Sequence, residues 1–60
     1  MYIVKLEEGV WLADGIGDPP RTLVEANAKQ FFKFTQAKTA LILARRNRPL
    51  ENARIVEVKA

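Results

Sequence analysis

The stretch from Phe34 to Pro49 most constrains what this chain can become, because it alone carries a long helical period. Phe34, Ala37, Leu41 and Ala44 recur at i, i+3, i+7 and i+10, which places them on one stripe of an α-helix. Gln36, Lys38, Ala40, Leu43, Arg45 and Arg46 fill most of the remaining positions with good helix formers. Pro49 sets the limit, since the residue before a proline is pushed out of helical geometry. The rest of the chain must then cover that apolar stripe.

Before the helix, Tyr2, Val4 and Leu6 alternate with Ile3 and Lys5, the period of a half-buried strand. Glu8-Gly9 signals a turn, and Val10-Trp11-Leu12-Ala13 follows as a second strand, so the two predict a β-hairpin. Trp11 falls on the face opposite Val10 and Leu12. Two glycines, two aspartates and two prolines make Asp14–Pro20 a loop. Thr22 and Glu25 form the Thr-x-x-Glu of a capping box, which predicts a short helix over about Leu23–Lys29 with Leu23, Val24 and Ala26 inward. A break near Phe31–Lys33 is favoured over one helix running on through Phe31 to Asn47, and of the clustered phenylalanines Phe32 is the one expected outside. Ile55, Val56 and Val58 form a closing strand, returning most simply beside the first. The expected fold is α+β, in the order β-β-α-α-β. Residues 1–60 make one small domain, a three-stranded antiparallel sheet with one face covered by a short and a long helix.

Composition narrows the chemistry. The 60 residues contain no cysteine, histidine or serine. The commonest nucleophiles, the commonest general base and the commonest metal ligand are therefore missing. Thr22, Thr35, Thr39 and Tyr2 have no evident base, and Glu7-Glu8 reads as a solvated pair. Asp14 and Asp18 bracket Gly15-Ile16-Gly17, but the alternating oxygen ligands of a calcium loop and the Lys-Ser/Thr of a phosphate loop are absent. These are turn residues. The expectation is a non-enzymatic protein with no cofactor and no metal. No run approaches the ~20 apolar residues of a membrane span, and the N-terminus lacks the pattern of a signal peptide, so a cytoplasmic location is expected.

Two surface features remain. Lys38, Arg45, Arg46, Arg48 and Arg54 form a basic set around the helix end. They could track a phosphate backbone, or simply offset the helix dipole. A formal charge of +3 is modest for a dedicated nucleic-acid binder and favours the second explanation. Leu41, Ile42 and Leu43 are consecutive, so the helix is apolar around more than half its circumference. Trp11, Phe32, Ile42 and Leu43 are accordingly the candidate interaction surface. A protein partner or a second copy is favoured, and nucleic acid is the alternative.

Across nearly the whole chain, Tyr-Ile-Val-Lys, Trp-Leu-Ala, Asp-Pro-Pro-Arg-Thr-Leu, Ala28-x-x-Phe31, Ala44-Arg45, Arg48-Pro49-Leu50 and Ala53-Arg54-Ile55-Val56 follow one another. This series resembles very small bacterial and phage or prophage proteins of unassigned function. The resemblance implies the hairpin, helix and closing strand, and a mobile-element origin. It transfers no catalytic or binding residue.

Overall fold

A computed structural model describes residues 1–17, 19–46 and 48–59. Its element order is β1 (Tyr2–Glu7), β2 (Val10–Leu12), β3 (Arg21–Thr22), α1 (Phe34–Ala44) and β4 (Arg54–Glu57), with a 3-10 turn at Glu25–Asn27. The strands form one antiparallel sheet in the order β3-β2-β1-β4. The α+β class and the placing of the closing strand beside β1 match the sequence. The strand and helix counts do not.

The alternation in β1 decides the layers. Val4 and Leu6 face α1 and meet Leu12, Phe31, Ala37, Leu41 and Ala44 in the buried core. Tyr2, Val10, Leu50, Ala53 and Ile55 pack around that cluster. Ile3 points the other way yet is also buried, beside Glu25, Ala26, Gln30 and Val58. Between β1 and β2 the register slips by one residue, as Lys5 opposes Trp11 and Glu7 opposes Val10. Gly9 turns the hairpin at φ 77°, a region that favours glycine.

Four expectations need correction. A third hairpin strand exists: Thr22 pairs with Trp11 and Arg21 with Leu12, while Ala13 donates its N–H to the Pro20 carbonyl at 3.0 Å. Proline is tolerated just before so short an edge strand because no ladder bond needs its missing N–H. The predicted short helix is a single 3-10 turn. Thr22 belongs to β3, and its hydroxyl takes the Val24 N–H at 3.1 Å as a local turn rather than closing a box with Glu25. Leu23, Val24 and Ala26 consequently lie exposed, Leu23 by 76%.

The long helix, third, ends sooner than Pro49 alone would require. It stops at Ala44, ahead of Pro49, with Arg45 as its C-cap. The guanidinium of Arg45 donates to the carbonyls of Leu50 (3.3 Å) and Ala53 (3.4 Å), drawing the chain back toward the core. Leu50 takes φ 45° at that reversal. The apolar stripe, fourth, is not buried throughout: Ala37, Leu41 and Ala44 are buried, but Phe34 remains 49% exposed and touches the Tyr2 ring edge-on at 5.7 Å. The turn role given to Asp18 and a helical Asn47 fall outside the described residues.

The break before α1 is where the sequence placed it. Tyr2 and Phe31 exchange two backbone bonds of 2.8 and 2.7 Å, and Lys29 donates to the Leu12 carbonyl at 2.9 Å. The segment thus fills the gap between β1 and β2 as extended chain, so Phe31 is core and Phe32 is outside. Lys33 then starts α1, its N–H bound by the Gln36 side chain at 3.1 Å. No helix among the described residues is long and apolar enough to cross a membrane.

Candidate interaction surface

α1 carries no acidic residue, and its outer side is half apolar. Ile42 and Leu43 are 58% and 56% exposed. Successive helical residues stand ~100° apart, so two adjacent large side chains flank the outward line rather than sharing it. Thr35 and Thr39 lie between them, with the Thr39 hydroxyl turned back onto the Thr35 carbonyl at 3.0 Å. That bond occupies the hydroxyl proton and leaves the middle of this face poor in free donors.

On the Leu43 flank the surface is concave. A cleft of about 320 Å³ separates α1 from the loop after β2. Leu12, Phe31, Ala40, Leu43 and Ala44 line its apolar side, with Pro19 and Pro20 opposite. At the rim, the Lys29 ammonium is 3.1 Å from an Asp14 carboxylate oxygen and 5.4 Å from the centre of the Phe31 ring. The ion pair is exposed and contributes little to stability. It gives one edge of an apolar cleft a polar, orienting group, the usual plan of a binding site. The size lies at the lower end of the ~300–1,000 Å³ of small-molecule pockets and suits an apolar side chain inserted by a partner.

The four candidate contact residues are divided. Ile42 and Leu43 share the outer helix. Phe32 is exposed by 75% but precedes the helix, more than two turns away. Trp11 is half-buried on the opposite side of the sheet, in one cross-strand row with Thr22, Lys5 and Arg54. A sheet separates it from Leu43. The cleft itself was not foreseeable, because its walls come from four segments that meet only in the folded chain.

The basic set is divided as well. Arg45 is occupied by two carbonyls, and Arg54 follows Lys5 onto the face away from α1. Lys38 lies along the helix, Arg46 follows its end, and Arg48 sits beside Leu6, Glu7 and Leu50. Among the described residues, the ion pairs are Lys5–Glu8 and Lys29–Asp14, and neither involves these five cations. Arg45→Ala should lower stability by ~1 kcal/mol through the two lost bonds to Leu50 and Ala53. Arg45→Lys should recover only part of this, since an ammonium cannot reproduce the guanidinium fork. A urea titration of the three proteins checks both.

No family model, curated protein or solved structure matches this chain.

Proposed function

We propose that this chain is a small non-enzymatic accessory protein that works by binding another protein through the outer face of α1. One observation carries the reading: Ile42 and Leu43 are both more than half exposed on the sole α-helix among the described residues. Solvating two large aliphatic side chains side by side is unfavourable, at ~25 cal/mol for each Å² of apolar surface left in water. Beside Leu43 the cleft offers a pocket for a partner's side chain, the arrangement in which binding energy concentrates. The likeness to small phage and prophage proteins fits a chain that acts on a larger protein.

The arginines favour the alternative less. Nucleic-acid binding needs cations along one path, and here Arg45 supports a loop while Arg54 lies across the sheet.

A photo-crosslinking residue at position 43 tests the proposal in cells expressing the chain, with the same probe at Gln30 as control. A discrete protein adduct at 43, absent at 30 and abolished by excess unlabelled chain, is the expected result. Equal labelling at both positions overturns it. Leu43→Glu should lose the partner while the melting temperature holds, because exposed substitutions usually stay within ~0.5 kcal/mol.

A further inference from the structure

The β4 side of the molecule leaves two different features unsatisfied at once. The first is a sheet edge. Val58 donates to the Met1 carbonyl at 2.8 Å, and Val56 and Arg54 lie opposite Ile3 and Lys5. Antiparallel alternation then turns the N–H and C=O of Ile55 and Glu57 outward, away from β1. β4 is the outermost strand, so these groups face solvent.

The second feature is the helix flank above that edge. Ala40, Leu43 and Ala44 look toward the β2 side, where they line the cleft. Ile42 and Lys38 therefore look toward the β4 side, as does Arg45, which reaches the carbonyls of Leu50 and Ala53 just ahead of β4. The exposed part of Phe34 belongs to the same flank.

We propose that a second copy of this chain covers both features, β4 pairing antiparallel with β4 about a two-fold axis through Val56. This rests on the reading of α1 as a binding face and names the occupant of its β4 side. In that register Ile55 of one copy opposes Glu57 of the other, and all eight outward groups of the two edges are used in four hydrogen bonds.

The helix layer fits the same axis. Strands lie ~4.8 Å apart, so the axis passes ~2.4 Å outside β4. α1 packs on both β1 and β4, which puts it about as far inside β4. The two helices then stand ~9–10 Å apart, the 8–10 Å spacing of packed helices, and run antiparallel, so the Phe34–Ile42 flank of one meets the same flank of the other with Ile42 toward the Phe34 end of its neighbour. Glu57 comes diagonal to Ala53 of the other copy, ~7–8 Å away and within reach of the Arg45 held there. A single extended peptide would satisfy the edge but leave Ile42 and Phe34 uncovered. A copy supplies both layers.

Light-scattering chromatography of the full chain at micromolar concentration, with residue-resolved amide exchange, tests this. Twice the monomer mass is expected, with the Ile55 and Glu57 amides protected. Glu57→Pro removes an outward N–H without touching the pairing to β1, and should weaken the dimer about thirtyfold through two lost bonds. Ile42→Glu should give monomer. Leu43→Glu, on the opposite flank, should stay dimeric while losing its crosslinked partner, which separates this proposal from the preceding one. A monomer with freely exchanging Ile55 and Glu57 amides overturns it, even if position 43 still captures a protein. So does a dimer that both Glu57→Pro and Ile42→Glu leave intact, or an edge protected only by an added peptide.

Discussion

Leu6→Ala is expected to leave the domain largely unfolded at room temperature. Leu6 and Val4 are the largest fully buried side chains, and Leu6 lies in the central strand under α1. Removing three carbons there costs the transfer energy plus a cavity, ~2–5 kcal/mol for a buried leucine. A 60-residue chain holds only ~3–9 kcal/mol in total, at the usual 0.05–0.15 kcal/mol per residue. The loss is thus comparable with the whole stability. The site cannot easily collapse, because Leu6 sits at the register slip where β1 is tied to β2 on one side while β4 holds its earlier residues on the other. Trp11, the one tryptophan, pairs with Lys5 in the neighbouring strand and reports the result through its emission. A red-shifted spectrum without denaturant is the expected outcome. A urea midpoint close to that of the parent chain would show that Leu6 is not the keystone this packing makes it. Leu43→Ala, the same chemistry at an exposed site, should cost less than ~0.5 kcal/mol.

That contrast shows how far a sequence reading reaches in this chain. Period two in Tyr2–Leu6 and the Ala37, Leu41, Ala44 spacing are local patterns, and each identified a buried face because burial on one side is what creates the pattern. The exposure of Phe32, Ile42 and Leu43 followed from crowding, as neighbouring residues cannot all face one core. β3 was invisible because two residues carry no period. Thr22-x-x-Glu25 looked like a helix start, but β2 claimed the backbone of Thr22 first, a tertiary demand that no local motif encodes. Grouping Trp11 with Leu43 failed for a similar reason: side-chain period places Trp11 opposite Leu12, yet which face the helix covers is a global choice. The cleft depends on Leu12, Pro19, Phe31 and Leu43 meeting, and their separations in sequence give no hint of it.

Gly17→Ala is the second large effect expected, and it acts on the cleft wall rather than the core. Gly17 has φ 147°, where side-chain-bearing residues are strained. A methyl group there would also stand 2.9 Å from the Pro20 Cα, 3.1 Å from the Pro19 carbonyl oxygen and 3.2 Å from the Pro20 nitrogen. These are backbone atoms of two consecutive prolines, whose fixed φ leaves little room to yield. Gly15 makes a useful comparison. It too has positive φ, 119°, but a methyl there meets nothing within 4 Å. Gly15→Ala should therefore show the backbone penalty alone, and Gly17→Ala that penalty plus the clash, for a total of ~2–4 kcal/mol. The loop cannot absorb this by moving freely, since Ala13 is bonded to Pro20 and Arg21 enters β3 directly afterward. Relief must come from displacing Pro19 and Pro20, which face Leu43 across the cleft. Gly17→Ala should consequently weaken partner capture at position 43 in the fraction that remains folded, while Gly15→Ala leaves capture intact. Equal melting temperatures for the two variants would mean that the close approach of Gly17 to the prolines is not a constraint on this loop.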